Sequence, residues 1–382
     1  MKLNNRLSSI PEYHFQRLNK LKDKLLYEGK ITADLSIGDP DLQTNKEILD
    51  ALTHSFSIKG FNKYPPYEGI SELKEQIIKY YKEIFSVNLN KDEVIILIGS
   101  KEGINNIIPA VCGIGDYAII PQPAYPVYET SSLLWGVKPY KLPLKAENNY
   151  LPSLQEIPDF ISSKCKLFII NYPNNPTGAI ANGEFYPKII KFCEEKNIVL
   201  CNDGAYNEIL NRDKLPVSIL QYDHNKSCVE FGTFSKVYNM TGFRLGYAAG
   251  NSEVIKALLK IKSNVDSGQF IPIQYAGITA LKFGREYVNS IREVYDERRA
   301  IAKKLLKEHN VKFFDAEGTF YLWCEIPKNY TVDEFCEELL NNYGIVVTPG
   351  YAFGDITGKY FRISLTCDKQ EIISGLSKLK VY

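Results

Sequence analysis

Residues 165–203 read CKLFIINYPNNPTGAIANGEFYPKIIKFCEEKNIVLCND. The segment opens on CKLFIINYP (165–173), an apolar run rich in Ile and Phe that stops at a Pro/Asn cluster. It closes on NIVLCND (197–203), a second apolar run that stops at Asp203. Between them, FYPKIIKFCEEKN (185–197) carries apolar residues at helical spacing. Working outward, DEVIILIGS (92–100), DYAIIPQP (116–123), SCVEFGTFS (227–235) and RLGYAAG (244–250) repeat the strand-like pattern. Strands alternating with helices predict the α/β class: a mostly parallel sheet sandwiched by helices in a large domain.

Ligands of such sheets bind at the carboxyl ends of the strands. That is where the chemically unusual residues fall. Gly99-Ser100-Lys101 follow one predicted strand, residues 171–178 a second, Asp203 a third and Ser235-Lys236 a fourth. Four such placements predict one composite site.

Within GTFSKVYNMTGFRLGYAAG (232–250) the only charged residues are Lys236 and Arg244, set among small, aromatic and apolar neighbours that predict burial. A desolvated lysine has a lowered pKa, so its neutral amine can attack a carbonyl and form a Schiff base. An arginine and a Gly-Ser turn at a helix N-terminus suit a phosphate. An aspartate opposite a pyridine nitrogen keeps that nitrogen protonated and makes the ring an electron sink. Each residue alone has a plainer reading: Lys236 on the surface, Arg244 paired with a structural carboxylate, Asp203 capping a helix. Together on one sheet edge they are better explained by pyridoxal 5'-phosphate.

The bulk composition narrows the classes. A chain of 382 residues exceeds a typical single core, so two domains are expected, 45–285 as the large one and 1–44 with 286–382 as the small α+β one. The boundary falls in residues 280–309, read as a long helix, followed by a hairpin over 311–327 and a helix over 331–344. A net charge of +1 gives no electrostatic reason to expect nucleic acid or an anionic membrane as partner. Eight scattered cysteines without a CxxC pair read as buried reduced thiols in a cytoplasmic protein, and four unclustered histidines give no metal site. No secretory signal opens the sequence, and no run approaches the roughly 18 apolar residues of a membrane span.

TFSKVYNMTGFRLGY (233–247) resembles the cofactor-attachment region of the fold-type I, class I/II pyridoxal-phosphate aminotransferases. NYPNNPTG (171–178), CNDGAYNEI (201–209), GYAFGDITGKYFRIS (350–364), LSIGDPD (35–41) and YPPYEGISELKEQI (64–77) are similar to the family's other motifs, in family order, over nearly the whole chain. The resemblance implies the aspartate-aminotransferase-like fold, pyridoxal 5'-phosphate as cofactor, and a role for each matching residue. Lys236 is then the Schiff-base lysine and the acid/base between the substrate α-carbon and the cofactor. Asp203 holds the pyridinium, Tyr206 and Asn175 bond the phenolic oxygen, and Tyr125 stacks on the ring. Ser100, Lys101, Thr233, Ser235 and Arg244 surround the phosphate, with Thr233 where many relatives have Ser. Tyr64 reaches a phosphate in the neighbouring subunit, which implies a homodimer. Arg362 grips the substrate α-carboxylate, helped by the backbone at Gly38 and by Asn175.

The N-terminal stretch 6–42 and GSKEGI (99–104) resemble the branch containing LL-diaminopimelate aminotransferases and aspartate-type relatives. This implies transfer of an amino group from LL-diaminopimelate or another dicarboxylic amino acid to 2-oxoglutarate. Lys101 would then bind a distal carboxylate, or serve the phosphate or a dimer interface alone, and Glu12 would meet a distal amino group. A general aspartate, alanine or aromatic aminotransferase, or a carbon–sulfur lyase on the same fold, is the alternative. A non-enzymatic cofactor-binding regulator is disfavoured, since no length precedes Ile10 to build a DNA-binding head. GIGDYA (113–118) fits a dinucleotide fingerprint only on paper, because it lies between a helix and a strand rather than the reverse.

Overall fold

The computed structural model describes residues 4–8, 10 and 23–379, so Glu12 lies outside the described residues. A short strand, β1 (Ala33–Asp34), precedes the main run: β2 (Val94–Leu97), β3 (Tyr117–Gln122), β4 (Lys138–Pro143), β5 (Cys165–Ile170), β6 (Val199–Asp203), β7 (Cys228–Thr233) and β8 (Gly246–Gly250). The last seven form one sheet in the order β2-β8-β7-β6-β5-β3-β4. Strands β3 to β7 are parallel, and β8 alone runs against its neighbours β7 and β2.

Side chains alternate between the two faces of a strand, and here both faces are covered. Leu167 and Ile169 join one hydrophobic cluster, while Phe168 and Ile170 join the other. That is why β5 is a nearly unbroken apolar run rather than an alternating one. Helices Ser100–Val111, Val127–Leu134 and Ser252–Lys262 cover the first face through residues such as Ile104, Ile108, Val127 and Leu258. Helices Ser71–Phe85, Phe185–Lys196 and Ile271–Lys282 cover the second through Leu73, Ile77, Ile189 and Ala276. Each fully buried Ile, Leu or Phe contributes about 1.5–3 kcal/mol.

Strand β4, KPYKLP, was not expected. Its two prolines cannot donate to a ladder, and it is tolerated because it pairs on one side only, with β3, at the sheet edge. The long helix expected over 280–309 is Gly284–Glu308; residues 280–282 end the preceding helix, Ile271–Lys282, and Phe283 separates the two.

After the second of these helices, β9 (Tyr321–Glu325), β10 (Ile345–Val346), β11 (Thr348–Pro349) and β12 (Tyr360–Ser364) follow. Strands β11, β12 and β9 form an antiparallel sheet, and β10 pairs in parallel with β1. The N-terminal segment is thereby built into the C-terminal part. Of the hairpin expected over 311–327, only β9 is a regular strand; its incoming arm is held by a single antiparallel bridge, Phe313 to Cys324. The helix expected over 331–344 spans Val332–Tyr343 with a Thr331–Glu334 capping box. No described helix is long and apolar enough to cross a membrane.

Candidate active site

Reversal of β8 has a direct consequence for the site. Strand β7 delivers Thr233, Ser235 and Lys236 at its carboxyl end, and β8 starts from that same edge, so Arg244 returns beside them. Strand β6 ends there on Asp203 and β2 is followed there by Gly99 and Ser100. The edge opens into a cavity of about 340 Å³. Of the residues expected from sequence, Gly38, Ser100, Lys101, Tyr125, Asn175, Asp203, Tyr206, Thr233, Ser235, Lys236, Arg244 and Arg362 all line it. Tyr64 does not; it is 86 % exposed elsewhere on the chain.

Lys236 donates from Nζ to the Gly38 carbonyl at 2.9 Å and lies 5.9 Å from the Tyr206 ring and 5.8 Å from the Phe320 ring. Desolvation pulls its pKa down to about 8; Asp39 opposes this, while Arg362 and Arg244 add to it. Although the side chain keeps some surface toward the cavity, the protein packed around the amine governs its proton affinity. The neutral amine is therefore accessible near physiological pH.

Asp203 is buried. Its Oδ2 accepts from the Tyr128 hydroxyl at 2.7 Å and its backbone carbonyl accepts from Asn171 Nδ2 at 2.6 Å. Burial pushes its carboxyl up to about 6, against the hydrogen bonds it accepts from Tyr128 and from the Ala205 N–H and against the pull of Lys236. Among the described residues no cation forms an ion pair with this carboxylate, and a protonated ring nitrogen would supply one.

The opposite end of the cavity is built for an anion. Gly99 caps the twelve-residue helix Ser100–Val111, and a helix N-terminus of this kind suits an anion. A Cβ on Gly99 would sit 2.6 Å from Arg244 Nη2, so glycine alone lets the guanidinium approach the turn. Thr233 Oγ1 donates to Ser235 Oγ at 3.0 Å, placing two hydroxyls at the same rim. Contrary to the sequence expectation of burial, Arg244 is exposed. Its backbone is left-handed (φ 55°), which turns its side chain out of the apolar segment, where Nη1 donates to the Thr241 carbonyl at 2.8 Å.

Arg362, on β12, forms the third wall. It is 2 % exposed and donates to Asn175 Oδ1 at 2.9 Å and to the Ser36 carbonyl at 2.6 Å. Its guanidinium carbon lies 4.0 Å from the Tyr321 ring centroid and 4.5 Å from that of Phe353. Among the described residues its Nε has no hydrogen-bond partner and no carboxylate pairs with it. A buried cation fixed by neutral groups is ready for a carboxylate ligand.

Sequence reasoning missed Tyr128, Asn171 and Tyr321. Tyr128 lies three residues beyond Tyr125 in the chain, and Asn171 is the first residue of the NYPNNPTG turn, so both carried a local signal. Tyr321, hydroxyl to hydroxyl 3.0 Å from Tyr206, comes from a distant strand and carried none. Among the described residues no group of three or more His, Cys, Asp and Glu is arranged to hold a metal.

An amine of lowered pKa, a buried carboxylate, a helix N-terminus beside an arginine and a carboxylate-ready guanidinium share this cavity. They fit pyridoxal 5'-phosphate together with an amino acid. Residues 30–379 match the family model "Aminotransferase class I and II". The chain belongs to the class I and II aminotransferases. It is a pyridoxal-phosphate-dependent enzyme that moves amino groups between amino acids and 2-oxo acids. It is 42 % identical to the LL-diaminopimelate aminotransferase of Aquifex aeolicus, over 98 % of both chains. It is also 42 % identical to the enzyme of that name from Natranaerobius thermophilus, over 99 % of this chain and 98 % of the other. Among solved structures, substrate-bound BacF from Bacillus subtilis superposes with a TM-score of 0.94 at 33 % identity, over 100 % of this chain and 98 % of that one.

Proposed function

We propose that the protein transfers an amino group from LL-diaminopimelate to 2-oxoglutarate, as a homodimer in the cytoplasm. The observation that carries this reading is the identity of 42 % to LL-diaminopimelate aminotransferases over essentially the full chain. Residues 45–285 form the domain that holds the cofactor, and 1–44 with 286–382 the smaller one that closes the substrate end.

When bound, pyridoxal phosphate acts as an electron sink that acidifies the substrate α-carbon. Lys236 carries the proton to and from that carbon, a task suited to an amine with a pKa of about 8. Asp203 pairs with the ring nitrogen, Tyr125 covers the ring, and Tyr206 and Asn175 bond the phenolic oxygen. Ser100, Thr233, Ser235 and Arg244 take the phosphate. Arg362, with Asn175 and the backbone at Gly38, fixes the α-carboxylate, so that every amino and oxo substrate enters in one orientation. Lys101, in the first turn of Ser100–Val111 and on the cavity wall, meets the distal carboxylate. Tyr64, exposed on the single chain, is donated to the phosphate of the partner's site.

The test is consumption of LL-diaminopimelate with and without 2-oxoglutarate, with glutamate measured as product. One glutamate per donor consumed, and none without the oxo acid, is expected. Product released without any oxo acid would indicate a lyase. Turnover of leucine or phenylalanine with none of LL-diaminopimelate would overturn the substrate.

A further inference from the structure

Behind the phosphate end lies a segment with three buried polar side chains, Lys262, Gln269 and Gln274, which bonds to the cradle helix and to the backbone of Arg244. It begins at Lys262, the last residue of helix Ser252–Lys262, and runs to Gln274 in the next helix. Lys262 is buried and its ammonium bridges Glu102 at 3.3 Å and Asp266 at 2.8 Å. Glu102 lies in the first turn of the cradle helix and accepts from the Ile98 N–H at 2.7 Å. Asp266 accepts from the Gly268 N–H at 2.7 Å. Gly268 has φ +89° and presses against the loop after Tyr64; a Cβ there would sit 2.9 Å from Pro65 and 3.0 Å from the Pro66 carbonyl.

Gln269, the next residue, is buried and its Nε2 donates to the Arg244 carbonyl and, at 3.4 Å, to the Phe243 carbonyl. Its own carbonyl accepts from Gln274 Nε2 at 2.5 Å. Gln274, wholly buried at 0 % exposure, accepts through Oε1 from the Ile70 N–H at 2.8 Å, where the Tyr64 loop enters its helix. Left-handed backbone is costly for arginine and persists only where surrounding contacts hold it. Among the described residues, the only side chain hydrogen-bonded to the Arg244 carbonyl is Gln269.

We infer that Gln269 is a positioning residue for the phosphate arginine, and that Gln269 and Gln274 form a relay tying Arg244 to the loop that carries Tyr64. The inference rests on the reading that Arg244 serves the cofactor phosphate. Gln269 touches no reacting atom. It fixes the carbonyl of Arg244, hence the left-handed turn, hence the direction of the guanidinium toward Gly99. Through Gln274 the same amide chain sets where the Tyr64 loop leaves the body. The phosphate ligand of one site and the residue proposed for its partner's site are then held by one strut.

Gln269→Glu keeps the side-chain shape and removes the donor. The test measures binding of pyridoxal 5'-phosphate and of pyridoxal to the cofactor-stripped dimer by absorbance titration, for the wild type and for Gln269→Glu, Gln269→Ala, Gln274→Ala and Arg244→Ala. Loss of one buried hydrogen bond predicts roughly tenfold weaker pyridoxal-phosphate binding in both Gln269 variants. Pyridoxal, which lacks the phosphate, should bind them as it binds the wild type. Gln274→Ala should show the same selective loss. Two results overturn the inference: phosphate affinity within twofold of wild type in both Gln269 variants, or equal losses for pyridoxal and its phosphate. If Arg244→Ala itself leaves phosphate affinity intact, the underlying site assignment fails, and the relay fails with it. Selective loss in Arg244→Ala without loss in the Gln269 variants rejects the relay alone.

Discussion

Removing the Arg362 guanidinium should weaken every substrate by a similar factor. In the protein the group is buried, donates to Asn175 and to the Ser36 carbonyl, and lies between the rings of Tyr321 and Phe353. Burial lowers its pKa, and among the described residues no neighbouring carboxylate offsets the cost. A substrate carboxylate entering this pocket finds its partner already desolvated and oriented. In Arg362→Ala that carboxylate would be buried with no cation. Truncating one member of such a pair costs about 2–5 kcal/mol. At about 1.4 kcal/mol per factor of ten, that is a loss of roughly 30-fold to several-thousand-fold in kcat/KM. Arg362→Lys should recover only part of the loss, because an ammonium has neither the planar fork nor the stacking surface between two rings. The assay is steady-state kinetics with LL-diaminopimelate, glutamate, alanine and 2-oxoglutarate, with melting temperature as a folding control. Unchanged kcat/KM for any one of them, in folded Arg362→Ala, would refute the α-carboxylate role.

Three further outcomes are expected. Lys236→Ala should abolish turnover, and borohydride reduction of the wild type followed by peptide mapping should find the cofactor on Lys236 alone; an adduct on another lysine would contradict the assignment. Asp203 has its carboxyl raised to about 6, and the ring nitrogen needs the charged form. Cofactor affinity should therefore be full above that pH and fall below it, whereas Asp203→Asn should bind weakly with no such step between pH ~5 and ~8. Glu230 is buried in the middle of β7 with no ion pair among the described residues, accepting from Tyr81, Ser218, Asn202 and the Ile219 N–H, and burial raises its pKa above the usual 4.5. A raised carboxyl binds more protons folded than unfolded, so its contribution to stability declines as pH rises from about 4.5 through the folded pKa. Glu230→Gln should flatten that part of the stability–pH curve; a curve of unchanged slope in urea unfolding would count against it.

The central sheet was legible because its strands are buried on both faces, which leaves apolar runs in the sequence with no polar alternation to confuse them. The site was legible for the same geometric reason: each strand ends where chemistry begins, so Asp203, Lys236 and Ser100 follow apolar runs directly. Strand β4 was hidden because an edge strand half exposed to solvent tolerates Pro139 and Pro143. Arg244 was read as buried because its sequence neighbours are small or apolar, but it sits exposed in a left-handed turn. The break at Phe283 lies inside an apolar pattern that continues on both sides, so the long helix was read as starting at Ala280 rather than Gly284. Tyr321 and the Gln269–Gln274 relay depend on contacts between distant segments, and no local pattern announces them.

The most direct measurement is a single half-reaction. Enzyme loaded with pyridoxal 5'-phosphate is mixed with one amino donor at a time, without any oxo acid, and the cofactor absorbance is followed. LL-diaminopimelate and glutamate should convert the cofactor to its aminated form rapidly, alanine and leucine slowly. Lys101→Gln should slow the first pair far more than the second. Rapid conversion by aliphatic or aromatic donors alone, with LL-diaminopimelate inert, would contradict the account.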